Sequence, residues 1–155
     1  MIRIRGTLLP EHILLGMTTR SREETIRELA QSLRSDTRIS DWQEFLRALA
    51  KGEAACKVNL QYGLTLPHVR SSAVTKMFMA FGRLADPLPE QEGSLRFAVL
   101  VGIPRAMDAE YLRLLGTLMR VFRNEKLRQK LLIAPKPSDI IQIFEKGETG
   151  RENDE

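Results

Sequence analysis

"LRFAVLVGIP", Leu95–Pro104, is the stretch whose reading decides the fold. Apart from Arg96 it is apolar up to its closing proline. A strand with one wet face alternates polar and apolar residues, whereas a near-continuous apolar run belongs to a strand covered on both faces. "KMFMAFGR", Lys76–Arg83, has the same character, and "LTL", Leu64–Leu66, is a shorter piece that stops at Pro67. These runs predict a sheet buried from both sides, with its strands lying between the second and third of four helices.

The helices are marked by their caps and spacing. "SREETIRELAQSLRSD" opens with Ser21, and Glu24 follows three residues later, the pattern of a capping box. Ile26, Leu29, Ala30 and Leu33 then recur at helical spacing. "SDWQEFLRALAKGEAA" repeats the device with Ser40 and Gln43, and its apolar stripe is Trp42, Phe45, Leu46 and Leu49. A third helix is expected over Asp108–Phe122, with Leu112, Leu115, Leu118, Met119 and Phe122 on its inner face. A fourth is expected from Ser138, burying Ile140, Ile141, Ile143 and Phe144. "PLPEQEG", Pro87–Gly93, reads as a loop. Strands mixed with capped helices make an α/β sandwich.

Composition narrows the function classes. The chain has 155 residues, 43% of them hydrophobic, enough for one domain with a real core. The reading is a domain over residues 1–147 and a polar tail, 148–155, expected to be disordered. No apolar run approaches the roughly 18–20 residues of a membrane span, so no direct membrane insertion is expected. The N-terminal "MIRIRGTLLPEH" lacks the apolar core of a secretory signal. The single cysteine, Cys56, excludes an internal disulfide, fits the cytoplasm, and reads as a small apolar residue. A net charge of +4, with basic residues scattered among acids, gives no concentrated basic face, so no nucleic-acid partner is expected. No metal-ligand spacing, GxGxxG or GxxxxGK[ST] occurs, so neither metal nor cofactor is expected.

The chemistry centres on "GLTLPHVR", Gly63–Arg70. Pro67 biases Leu66 to an extended backbone and ends the strand. His68 then stands just past a strand end, where a rigid sheet presents reactive groups. Imidazole is a nucleophile near neutral pH, and Arg70 can bring positive charge to an anion held there. On the residues alone, a surface histidine without a task remains an open alternative. His12 reads as a surface or packing residue. An unrelated hydrolase built on Cys56 or His68 lacks any nucleophile-elbow context.

"GLTLPHVR" resembles the Gly-Ile-Ala-Ile-Pro-His motif of the fructose/mannitol-type enzyme IIA domains of the bacterial phosphotransferase system, including their nitrogen-regulatory relatives. "SREETIRELAQSL", "WQEFLRALAKGEAA" and the span from "FAVLVGIPR" to "DIIQIF" are similar to further segments of that family, in order along nearly the whole chain. The resemblance implies a single-domain sandwich with a central mixed β-sheet flanked by helices on both faces. It implies that His68 accepts a phosphoryl group from a histidine-containing phosphocarrier protein. The group then passes to a IIB component or serves as a regulatory signal to a target protein. Beside His68, the family's Arg-Glu pair aligns with Gly52–Glu53, its small hydroxyl residues with Lys57 and Val58, and its second histidine with Tyr111. The expected site is therefore His68, Glu53, Tyr111, Arg70 and Lys57, with Lys51 as a further cation. The alternative is a degenerate IIA-like binding module that regulates by contact and no longer transfers phosphate. Leu64, Leu66, Val69 and Tyr62 are the expected apolar docking surface.

Overall fold

A computed structural model of the chain describes residues 2–55, 61–90 and 93–148. The elements in order are the short irregular segment α1 (Ile4–Thr7), in which Arg5 and Gly6 leave helical geometry, β1 (Leu8–Met17), α2 (Arg22–Gln31), α3 (Trp42–Ala55), β2 (Leu64–Thr65), β3 (His68–Arg70), β4 (Phe78–Glu90), β5 (Gly93–Ile103), α4 (Asp108–Arg123), α5 (Glu125–Ile133) and α6 (Pro137–Glu148).

The sheet runs in the order β1-β4-β5-β2, with β3 also on β5. β4 and β5 are antiparallel; β1 joins β4, and β2 and β3 join β5, in parallel. The sheet is thus mixed. Its central hairpin sorts residues to both faces: Phe97, Val99 and Val101 pack with α4–α6, while Ala98 and Leu100 pack with α2 and α3. That division explains why "LRFAVLVGIP" shows no polar alternation. Each fully buried Phe, Leu or Val here contributes about 1.5–3 kcal/mol by leaving water.

The details correct the expectations in several places. β1 went unrecognised because Pro10, Glu11 and His12 interrupt its apolar run. Its register jumps between Leu8↔Met79 and Ile13↔Phe81, and the residues between bulge out. His12 sits in that bulge, only 5% exposed, so it is not a surface residue. Its Nε2 lies 2.9 Å from Asp36 Oδ2. Arg38 also donates to Asp36 through its backbone N–H, Nε and Nη2. This buried cluster fastens β1 to the connection between α2 and α3.

At α2, the Ser21 hydroxyl accepts from Glu24 N–H at 3.0 Å, and Glu24 reaches back to Arg20 N–H. At α3, Asp41 rather than Ser40 accepts from the first turn, and Ser40 instead pairs with the Ala73 carbonyl. The inner face of α4 is Tyr111, Leu114, Leu118, Val121 and Phe122, whereas Leu112 is 64% exposed. The fourth helix of the sequence reading, α6, buries Ile140, Ile141, Ile143 and Phe144 as expected. α5 is additional, and Arg83 caps its end by donating to Leu131 O and Ala134 O. Of Pro87–Gly93, expected as a loop, the described residues are strand: Leu88↔Leu95, Pro89↔Ser94 and Glu90↔Gly93 continue the pairing of β4 with β5, and Gln91 and Glu92 lie outside the described residues.

Candidate active site

The site forms at the sheet edge made by β2 and β3. Pro67 lacks an N–H and splits what would be one edge strand into two short pieces. Its carbonyl still accepts from Val101 N–H, so the ladder on β5 holds through the break. His68 therefore begins a strand rather than following one, in register with Val101. Strand alternation sends Val69 into the core against α2 and α3, while His68 and Arg70 are exposed.

Over His68 lies the first turn of α4. Tyr111 is buried, and its ring stacks on the imidazole with centroids 5.5 Å apart and planes 29° apart. Burial raises the Tyr111 phenol above its ordinary pKa, and the positive charge of Arg70 offsets only part of that. The phenol is consequently neutral near pH 7, a hydrogen-bond donor without charge. A stacked ring also restricts the imidazole to few orientations, which is what a nucleophile needs for in-line attack.

Of the expected charged residues, Arg70 and Glu53 each have a partner. Arg70 Nε donates to Asp108 Oδ1 at 2.8 Å, on the first residue of α4. Glu53 pairs with Arg22, at 2.6 Å from Nη2 to Oε1. Arg22 Nε donates in addition to Thr65 Oγ1 at 2.9 Å. Gly52 lies against the edge strand: a Cβ there would be 3.8 Å from the His68 carbonyl, ordinary contact distance. Lys51 is exposed. Lys57, Val58 and Cys56 lie outside the described residues. Of the expected docking surface, Leu64 and Val69 are buried core and present no surface; Leu66 and Tyr62 are half-buried. Among the described residues no group of three or more His, Cys, Asp or Glu is placed to hold a metal.

Sequence reasoning missed Arg22, Thr65 and Asp108. Asp108 was readable as an acid in the first turn of a helix. Nothing in the sequence marks Arg22 as the partner of Glu53, because that depends on how α2 lies beside α3.

Residues 7–147 match the family model described as the phosphoenolpyruvate-dependent sugar phosphotransferase system, EIIA 2. The chain belongs to this family. The PTS system fructose-specific EIIA component of Haloferax volcanii is 31% identical over 112 residues, 69% of this chain and 71% of that protein. The chain spans only about a fifth of the length of two further relatives, the EIIABC components specific for 2-O-alpha-mannosyl-D-glycerate in Escherichia coli and for fructose in Bacillus subtilis (20% and 22%). In fold it is similar to the crystal structure of the nitrogen regulatory protein IIA-Ntr of Neisseria meningitidis. The TM-score there is 0.81 at 21% identity, covering 91% of this chain and 98% of that one. It is also similar to the Escherichia coli mannitol enzyme IIA in its complex with phosphorylated enzyme IIB. That match has a TM-score of 0.73 at 17% identity and covers 91% and 96% of the two chains. Relatives by sequence include sugar-specific EIIA components and a nitrogen regulatory protein of Bradyrhizobium diazoefficiens, 26% identical over 91% of this chain and 94% of that protein, consistent with a phosphoryl relay or a regulatory role. No described helix is long and apolar enough to cross a membrane.

Proposed function

We propose that this chain is a phosphotransferase-system IIA component in which His68 receives a phosphoryl group from a histidine-containing phosphocarrier protein. It hands the group to a IIB component or displays it as a regulatory signal. The observation that carries this reading is the exposed His68 imidazole, fixed at the end of a rigid sheet by stacking on buried Tyr111.

The transfer balances without a cofactor. A neutral His68 ring nitrogen attacks the phosphorus of the donor's phosphoimidazolium. The new N–P bond forms as the donor's N–P bond breaks. The donor ring leaves neutral with its own N–H, and the His68 ring gains the positive charge and keeps its N–H. Charge on the equatorial oxygens has to be met by positioned donors and cations. Tyr111 supplies a neutral donor, and Arg70 and the Lys51 and Lys57 side chains are the candidate cations. Glu53, held by Arg22, shapes the local charge.

The second reading, a regulatory module acting by contact alone, is favoured by specific positions. Gly52 brings no side chain, Tyr111 brings no positive charge, and the charge of Arg70 is shared with Asp108. Intact-mass spectrometry separates the two. The sample is incubated with the general phosphotransferase enzyme, the small phosphocarrier and phosphoenolpyruvate, and kept alkaline because phosphohistidine is acid-labile. One added phosphoryl group that is absent from His68→Ala supports the carrier. No added mass with a cognate donor favours the contact regulator. Tyr111→Phe keeps the stacked ring and is expected to slow transfer without abolishing it; behaviour identical to His68→Ala would overturn the role given to Tyr111.

A further inference from the structure

Arg22 is the first residue of α2, yet its guanidinium is nearly buried, with 12% of the side chain exposed. It reaches two elements of the candidate site. On one side it meets the Glu53 carboxylate at 2.6 Å, one residue past Gly52, where α3 lies against the His68 carbonyl. On the other it donates to Thr65, a buried residue three positions before His68 on the same sheet edge. A surface ion pair contributes little, but this one is largely out of water, where losing one partner strands the other charge.

The setting gives that pair a consequence for chemistry. An arriving phosphoryl group brings about two negative charges to His68. An uncompensated carboxylate at the end of α3 would repel it. We propose that Arg22 is a positioning residue of the phosphoryl site. It neutralises Glu53 and ties α2, α3 and β2 together, so that the helix end beside His68 presents no free negative charge. Gly52 offers no side chain for this purpose, and a guanidinium from another helix does it instead. The inference rests on the phosphocarrier reading.

The test measures the rate of His68 phosphorylation with two donors. One is the phosphorylated small phosphocarrier; the other is phosphoramidate, which transfers its phosphoryl group with loss of ammonia and requires no protein docking. Arg22→Ala should slow transfer about 10–100-fold with both, less than the roughly 10²–10³ of a directly bound donor. The loss should fall on the rate at saturating phosphocarrier, not on the donor KM. Arg22→Lys keeps the charge without the two-pronged geometry and should recover part of the rate. Arg22→Ala combined with Glu53→Gln removes both charges and should be measurably faster than Arg22→Ala alone. The gap between wild type and Arg22→Ala should narrow from about 0.05 to about 0.5 M KCl, because salt screens what remains exposed. Circular dichroism and thermal unfolding confirm that each variant is folded.

An Arg22→Ala protein that transfers at the wild-type rate overturns the assignment while leaving the phosphocarrier standing. A double variant as slow as the single, with no response to salt, makes Arg22 a structural brace only and also overturns it. A wild type that accepts no phosphoryl group from either donor removes the phosphocarrier reading and this inference together.

Discussion

Asp36 offers a prediction whose size the structure supplies. Its carboxylate is 4% exposed, and burial alone would raise its pKa. The hydrogen bonds and charge of Arg38, with the charge of His12, outweigh that burial and hold the pKa at about 2, against an ordinary 3.8. Because the folded value is depressed, the stabilisation is complete above the unfolded pKa and fades as pH falls toward the folded one. The difference corresponds to about 2.4 kcal/mol at pH 5 and above, most of it lost by pH 2. Asp36→Asn keeps the shape but removes the charge facing a buried guanidinium. Breaking a buried pair in this way costs about 3–5 kcal/mol at neutral pH. Urea unfolding of both proteins at pH 7, 5, 3 and 2 checks the argument. The stability gap should be widest at pH 5–7 and shrink by about 2 kcal/mol on acidification to pH 2. A gap that is the same at every pH would show that Asp36 acts through packing, not charge, and the reasoning would fail.

The remaining predictions concern other elements. Arg83→Met preserves bulk but strands the Leu131 and Ala134 carbonyls at the end of α5, and should cost about 2–4 kcal/mol in chemical denaturation. Gly147→Ala places a Cβ 2.6 Å from the Thr117 carbonyl where α6 crosses α4; an expected cost of about 1–3 kcal/mol should appear as a Tm lowered by several degrees. Asp108→Asn should change stability by less than about 1 kcal/mol while raising the rate of His68 phosphorylation, measured by intact mass against time. Gly52→Arg has room for its Cβ beside His68, and should accelerate phosphorylation without loss of Tm.

What the sequence made readable was the set of features that depend on near neighbours. Ser21 and Glu24 sit within one helical turn, so the start of α2 was visible. The apolar run of β5 declared a strand covered on both faces, because no residue except Arg96 needed to meet water. The errors lie where a distant element decides. Pro87 and Pro89 argue for a loop, yet they continue β4 beyond Leu84, the last residue paired with β1, so on that side no partner strand claims their missing N–H groups. The leucines of α4 fit two adjacent stripes at a 3.6-residue period, and the rotation that buries Tyr111 and Leu114 leaves Leu112 outside. Within the site, His68 was marked by Pro67, and Tyr111 by the family pattern. The pairings of Glu53 with Arg22 and of Arg70 with Asp108 join residues 31 and 38 positions apart, and no local rule reaches that far.

Those two pairings divide the work at the sheet edge by their burial. The Arg22–Glu53 pair is mostly enclosed, so it is expensive to break and serves as fixed scaffolding. The Arg70–Asp108 pair is 43% and 68% exposed and of the kind that contributes about 0–1 kcal/mol, so it is cheap to break. Arg70 stands two residues from His68 on the same exposed side of β3, because strand alternation returns every second side chain to one face. A phosphoryl group on His68 offers that guanidinium a doubly charged acceptor, which forms stronger charge-assisted hydrogen bonds than a single solvated carboxylate. Arg70 would then exchange partners, and Asp108 at the start of α4 would be released. On the phosphocarrier reading, the surface seen by a partner changes in charge at His68 and at Asp108 together, with no backbone rearrangement. It follows that Asp108→Asn should resemble the phosphorylated protein in freeing Arg70 but not in net charge. A partner that distinguishes the two is reading the phosphate itself, and one that does not is reading the arginine.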